Sequence, residues 1–510
     1  MVSSNPDVAQ ILYTAACFAG DSIPGELMTL QGPLSQPRLS TALELLKDND
    51  LIIPDRDQRD AFTVCPIVRR RVRQHLLEQS HLPIYMQHTV RLLSQIFSSE
   101  IESYRSLMLG KSSIVHAKAV WDSCVASNAH PIIRDELDLA TLLFGVCHFL
   151  RTIGRYEESH TYAEKALRVH QQAWFLSAAA RSVYEYNLAA SEFCLGNTER
   201  AISIVRPLEY TIRSSGPSQR HRGRVFLFGV LLLRQGHYEL AESYQRTAIR
   251  VIRETHEMNT VYTLDNKHNL ACILVKKQKF DEALSILRLI IEARKGNSGQ
   301  ERNSYLNNPK TLASLDCIGI ILQARGNLEE ASRIHIQVLH HRRRLLGDDH
   351  ADTIATLGNL STIYRARGDF GEAARLSQDC FEFFQRKFGE GHEYTLNALE
   401  NLGNLARCRN RILEAETLTV DLVRRKECTF GGDHVETLRS QYSLSVIYQC
   451  QARYGEALEL GRLVRDKRKA LPLNHPDRIA SETHVPQLEE DLMWAELQSP
   501  FLPEWKDEAE

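Results

Sequence analysis

Apolar residues recur along most of the chain at intervals of three and four, and polar breaks interrupt them about every twenty residues. Over 350–376, "HADTIATLGNLSTIYRARGDFGEAARL", Leu357, Leu360, Ile363 and Tyr364 keep helical spacing until Gly368-Asp369 ends the run. A second run follows, opened by an aromatic or apolar residue with Ala three positions on and usually Glu before the Ala. The same opening stands at Tyr156/Ser159, Thr198/Ala201, Tyr238/Ala241, Phe280/Ala283, Leu328/Ala331, Phe370/Ala373, Ile412/Ala415 and Tyr454/Ala457, at spacings of 42, 40, 42, 48, 42, 42 and 42 residues. The pattern predicts eight units of two helices each. The small residue marks the close approach of two helix axes, where a larger side chain would cost about 1–3 kcal/mol.

Gly154, Gly196, Gly236, Gly326 and Gly368 sit at the break between the two helices, where a left-handed residue ends a helix at low cost. Asn410 suits the same conformation. Gln278 and Ala452 do not, so those two turns are expected to be built differently. Second helices end in basic clusters, Arg294-Lys295, Arg342-Arg343-Arg344, Arg386-Lys387 and Arg424-Arg425-Lys426, as expected of cations that favour a helix C-terminus. The 48-residue spacing holds a polar insertion, "GNSGQERNSYLN" at 296–307, with the composition of a mobile loop.

Residues 40–79 break the pattern. An amphipathic helix (Ala42, Leu45, Leu46) leads to "LII", a charged turn "PDRDQRD", a strand "AFTV" and a basic helix. Helix, strand, wing and strand follow a winged-helix order.

Composition narrows the classes. The 510 residues are 43% hydrophobic and 25% charged, as in a folded, water-soluble chain. A net charge of −2 supplies no global basic field for nucleic acid or an anionic membrane. Eleven cysteines include no CxxC pair and read as reduced thiols. The longest apolar stretches, such as "FLFGVLLL" at 226–233, are too short to span a bilayer, and the N-terminal "ILYTAACFA" lacks a preceding Lys or Arg. A cytoplasmic location is expected.

The repeat resembles tetratricopeptide repeats, specifically the longer-period type of the kinesin light chain family. Asn308-Pro309-Lys310-Thr311, His350-Ala351-Asp352-Thr353 and His475-Pro476-Asp477 stand where that family opens a helix with His-Pro-Asp-Thr. The resemblance covers about 140 to 480, is most specific in the last five units, and implies an all-α fold. That fold is a right-handed tetratricopeptide α-solenoid whose first helices line a concave groove, preceded by a small winged-helix-like domain. The expected organisation is winged-helix-like over 1–80, a helical connector over 81–140, eight repeats over 141–470, and a capping helix with an acidic tail over 471–510. The order of elements also resembles the C-terminal half of fungal NLR-type signalling ATPases, in which a winged helix precedes such repeats. It departs from them at Cys65-Pro66, where that family has a Met-His dipeptide that reaches nucleotide. "GKSS" at 110–113 is an incomplete phosphate loop, since Arg105 stands where the first Gly is needed.

No catalytic motif is present, and neither a cofactor nor a metal is expected. His350, His392, His434 and His475 belong to different repeats, too far apart for one zinc ion, and read as loop-to-helix hydrogen-bonding residues. The groove is the candidate site. Asn397, Asn401 and Asn404 form one polar stripe, and the position of Asn401 recurs as Asn187, Asn269 and Asn359. Amides there both donate to and accept from an extended peptide backbone, the use the resemblance also implies. Lys276, Arg365, Arg407 and Arg439 stand nearby and suit acidic peptides. Leu227, Cys317 and Ser443 interrupt the ladder.

The tail over 486–510 has eight carboxylates and two tryptophans, Trp494 and Trp505. Leu488, Leu492, Trp494 and Leu497 predict a helix that caps the solenoid. The alternative is a groove ligand within the chain, because kinesin light chains recognise Trp set among acids. The expected function is a non-enzymatic scaffold for protein or peptide partners. A regulatory module related to NLR-type ATPases and a winged-helix DNA-binding regulator using "RRRVR" at 69–73 are the alternatives.

Overall fold

A computed structural model describes residues 5–20, 22–29, 36–55, 61–98, 104–126, 136–172, 178–215, 229–254, 261–297, 304–471, 473 and 475–498. The chain divides into two compact units, one of Met1–Phe228, Arg250–Met258 and Ile291–Leu312, the other of Gly229–Ile249, Asn259–Ile290 and Ala313–Glu510.

The first unit opens with α1 (Pro6–Ala15), which starts where the Asn5 side chain accepts the amides of Asp7 and Val8. There follow β1 (Ile23–Pro24), a 3₁₀ turn, α2 (Gln36–Asp48), β2 (Ile52–Pro54), β3 (Ala61–Val64) and α3 (Pro66–Glu78). The strands form an antiparallel sheet in the order β1-β3-β2, with Ile23 opposite Phe62 and Ile52 opposite Val64. Ile11, Leu12, Leu27, Leu46 and Phe62 are buried. Then come α4 (Leu82–Ser98) and α5 (Tyr104–Ala126). The "GKSS" stretch lies inside α5, where a Cβ on Gly110 would collide with the Phe149 ring. It is a helix-packing site with no loop to cradle phosphate.

Two-helix repeats follow. They are α6 (Glu136–Thr152) with α7 (Tyr156–Gln172), α8 (Ala178–Cys194) with α9 (Thr198–Ser215), and α10 (229–234) with α11 (Tyr238–Glu254). Next are α12 (Val261–Lys276) with α13 (Phe280–Asn297), and α14 (Pro309–Ala324) with α15 (Leu328–Leu346). The last three are α16 (Ala351–Arg367) with α17 (Phe370–Phe388), α18 (Glu393–Cys408) with α19 (Ile412–Phe430), and α20 (Val435–Cys450) with α21 (Tyr454–Arg468). A final helix, α22 (Pro476–Gln498), closes the array. The protein is an α-solenoid. The small residue of every unit, from Ser159 to Ala457, is fully buried. Within the polar insertion, Ser304–Asn307 form a 3₁₀ turn with Leu306 buried, and residues 298–303 lie outside the described residues.

Gln278 and Ala452 overturn one expectation. Both take φ of 58°, as Asn410 does, against 77–86° for the glycines at this break. Their turns carry the same pair of backbone hydrogen bonds as Gly368: Ala452 N–H to Gln449 O at 3.0 Å and Arg453 N–H to Tyr448 O at 3.0 Å. Packing of the two helices imposes the turn, and the side chains accept a strain of about 1–2 kcal/mol.

The basic clusters place cations in the last turns of α13, α15 and α17 as expected, but some of their members do more. In three repeats, among the described residues, a cation late in the second helix is buried and ties its repeat to the helix that follows. Arg342 donates to the backbone O of Asp352 at 2.9 Å, Lys426 to that of Glu436 at 3.4 Å, and Arg468 to that of Asp477 at 2.8 Å. Each cation also finds a partner on its own first helix: Asp316 for Arg342 (3.1 Å), Glu400 for Lys426 (2.8 Å) and the Tyr442 ring for Arg468 (5.0 Å). Asp316 further accepts from His335 Nδ1 at 2.8 Å. In the sixth repeat the corresponding pair is Gly358 and Phe384, and Phe384 stacks on Tyr394 at 5.0 Å. The position therefore accepts a charge pair or an aromatic.

Removing one charge of a buried pair strands the other. Arg342→Phe alone should lower stability by about 3–5 kcal/mol. The double variant Asp316→Ala/Arg342→Phe, which copies the uncharged arrangement of the sixth repeat, should lose less than half as much in urea unfolding. Equal losses in the two variants would show that the pair does not act as a unit.

Candidate functional site

The four helix-opening histidines are positioned first. His350, His392, His434 and His475 each accept, through Nδ1, the amide of the residue two positions on, at 3.1–3.2 Å. An acceptor Nδ1 requires the proton on Nε2, and His434 Nε2–H donates to Arg234 O at 2.9 Å. Phe388 and Phe430 stack on His392 and His434 at 4.4 and 4.8 Å. Each histidine caps its own helix. Among the described residues, no group of three or more His, Cys, Asp or Glu is placed to hold a metal ion.

The structure separates the sequence-predicted ladder into spent and unspent residues. Asn187, in the first unit, is buried: it accepts from Arg151 Nη1 at 2.8 Å and donates to Phe144 O at 3.1 Å. It is a core residue and leaves the ladder. Asn359 donates to Asp316 at 3.3 Å, which draws it into the buried network. Lys276 donates to Glu436 at 3.0 Å, and Arg439 bonds Glu436 at 3.0 Å and Asp477 at 2.8 Å. These two cations are already paired with carboxylates of the same unit. Burial alone would raise the Glu436 carboxyl, but Lys276, Arg439 and Lys426 outweigh it and hold the group at about 2.

The remaining residues form an open tract. Asn397 and Arg407 are exposed, Asn401 and Asn404 are half-buried, and none of the four makes a side-chain hydrogen bond among the described residues. All project from α18. Among the described residues, Arg365 on α16 reaches Cys408 Sγ alone, at 3.5 Å. On α12, Asn269 keeps a buried Nδ2 without a partner among the described residues. Asn397 also borders a small cavity of about 80 Å³ with Tyr238, Lys276, Lys426 and Glu436. There α10, α11 and α12 meet the start of α18 and α20. Arg234 pairs with Glu393, Tyr238 Oη–H points to Glu436 at 3.5 Å, and a Cβ on Gly236 would lie 3.2 Å from Val435.

The tail divides. Leu488 is buried against Ala457, Leu458 and Val485, and Leu492 packs at the edge of that cluster. Trp494 and Leu497 are 60% and 54% exposed, so they do not extend the cap. Trp505 lies outside the described residues.

Sequence reading missed Asp316 and Glu400, the partners of Arg342 and Lys426. The signal was present as a carboxylate 26 residues before a cation in both repeats. It was obscured because Gly358/Phe384 and Tyr442/Arg468 fill the same positions.

Residues 310–386 and 437–477 match tetratricopeptide repeat families. Comparison with curated proteins finds no match. Among solved structures, NprR in complex with its cognate peptide NprX is 13% identical with a TM-score of 0.51, covering 69% of this chain and 97% of that one. The nearly identical TPR-like repeats of Podosopora anserina, designated kinesin light chain, are 24% identical with a TM-score of 0.31, covering 40% of this chain and 94% of that one. A signal transduction ATPase with a tetratricopeptide repeat sensor from Pyrococcus horikoshii is 13% identical with a TM-score of 0.43, covering 92% of this chain and 64% of that one. The chain carries tetratricopeptide repeats, and its fold is the one NprR shares.

Burial lowers the proton affinity of His434 and His475 below the ordinary histidine value of 6.5. The unfolded chain thus binds protons more readily than the folded one in this range. Their contribution is complete above about pH 6.5 and is lost as pH falls through the lowered folded values. Urea midpoints should drop between pH 7.5 and 5. His434→Asn, which caps without titrating, should flatten that slope. An unchanged slope would remove His434 from the acid response.

Proposed function

We propose that the chain is a non-enzymatic protein-interaction scaffold that holds extended or acidic peptide segments along the first helices of its later repeats. The observation that carries this reading is the α18 tract. Asn397, Asn401, Asn404 and Arg407 keep their hydrogen-bonding capacity unspent, while comparable polar residues in neighbouring repeats are consumed internally. Amides at successive turns match the alternating donors and acceptors of an extended backbone, and Arg365 and Arg407 favour carboxylates. A tetratricopeptide solenoid provides long helical surfaces of this kind. The chain's own paired carboxylates, Glu436 and Asp477, occupy Lys276 and Arg439, so the acid-binding part of the tract centres on Arg365 and Arg407.

The N-terminal segment is read as winged-helix-like, supported by its element order and the β1-β3-β2 sheet. That organisation favours a regulatory module of the NLR-related kind over a DNA-binding one. The helix before the hairpin, α2, has Arg38 tied to Asp7 at 2.7 Å and carries Glu44 and Asp48, which repel phosphate. The scaffold is expected to act in the cytoplasm.

The test is a comparative pull-down from native lysate with wild type and Asn401→Ala/Asn404→Ala/Arg407→Ala, followed by affinity measurements on the peptides recovered. Loss of three hydrogen-bonding side chains at about 1 kcal/mol each predicts weakening by roughly a hundredfold. Circular dichroism should show an unchanged helical fold. Identical partner lists and affinities would sink the tract as the working surface.

A further inference from the structure

Helices α12 and α14 are the first helices of consecutive repeats, and His268 on one meets Ser314 on the other, Nδ1 to Oγ, at 3.2 Å. One turn further along each helix stands a cysteine, Cys272 and Cys317. Residues three or four apart share a helix face, so the two thiols come opposite each other across the His268–Ser314 contact. His268 Nε2 lies 3.5 Å from Cys272 Sγ. Cys272 is partly open to solvent and Cys317 is buried.

We infer that Cys272 and Cys317 form a peroxide-oxidised thiol pair that closes to a disulfide between the fourth and fifth repeats. Geometry assigns the roles: Cys272 is the thiol partly open to solvent and beside His268 Nε2, and Cys317 is buried. Contact with Cys317 favours the Cys272 thiolate against burial, with His268 and Lys276 adding to it. The same contact and burial keep Cys317 protonated, with Asp316 acting in the same sense. In the tautomer whose Nδ1–H donates to Ser314, Nε2 of His268 is the acceptor for the Cys272 proton.

In the first step the Cys272 thiolate attacks a peroxide oxygen. The S–O bond forms, the O–O bond breaks, and hydroxide leaves with the proton held by His268, giving water and a sulfenic acid. In the second step the Cys317 sulfur attacks Cys272 Sγ. The S–S bond forms, the S–O bond breaks, and the hydroxyl departs as water with the Cys317 proton. Two thiols are oxidised and one peroxide is reduced to two waters. Cys317 stands at the repeat position that is Asn in neighbouring units, so oxidation fixes the spacing of two groove helices.

The full chain should be treated with a few equivalents of hydrogen peroxide, alkylated and digested without reduction for mass spectrometry. The expected product is one Cys272–Cys317 cross-linked peptide, formed at least tenfold faster than oxidation of the exposed thiols Cys408, Cys428 and Cys450. Cys317→Ser should accumulate a dimedone-reactive sulfenic acid on Cys272 with no cross-link. His268→Gln, checked for fold by circular dichroism, should slow the first step about tenfold and leave the cross-link site unchanged. Oxidation at the exposed thiols ahead of Cys272, or Cys272 driven to sulfinic acid without a cross-link in wild type, would overturn the inference.

Discussion

The later repeats depend on a buried cation at the end of a second helix that reaches the backbone of the helix that follows. A helix pair alone leaves one apolar face open, and stacking closes it by non-directional burial. Arg342, Lys426 and Arg468 add direction: each meets a carbonyl in the first turn of the helix that follows and a partner on the first helix of its own repeat. One side chain thus sets the distance between three helices. The histidine caps work beside it by fixing where each first helix begins, and the Phe388 and Phe430 rings brace those caps from the helix before. Where the cation is absent, as at Phe384, an aromatic stack does the same spacing without charge.

The open tract is defined by where this internal network stops. Polar residues on the first helices have two fates. Asn359 lies within reach of Asp316 and is drawn inward. Asn401 occupies the same repeat position, but its neighbour on the preceding first helix is Gly358, which offers no acceptor. The absence of one carboxylate, at 358, therefore leaves the next repeat's amide unspent. The unspent hydrogen-bonding capacity on α18 follows from a local gap in the solenoid's own bonding.

Much of this was legible in the chain. The repeat period, the two-helix units and the small buried residue at the crossing are fixed by side-chain size and spacing, which a sequence displays directly. The histidine caps were legible because a helix start needs an acceptor there and the residue recurs. The fate of individual polar groups was not. Asn187 and Asn401 share a repeat position, yet one is buried against Arg151 and the other is open, because neighbours two helices away decide. The turns at Gln278 and Ala452 were not legible either, because propensity at one residue says nothing of the packing that overrides it. The basic clusters suggest helix capping on their own, since the order of residues does not show that Arg342 points into the next repeat.

The meeting of Arg234 with Glu393 and of Lys276 with Glu436 joins residues about 160 apart in the chain. A linear array with contacts only between nearest neighbours unravels from its ends, one unit at a time. A bridge that skips several units makes the intervening ones open together or not at all. Within the second unit, the helices between the bridged residues thereby become a single cooperative block, protected from the fraying expected of a solenoid. Closing so long a loop also delays folding, because its entropy is lost before the bridge forms.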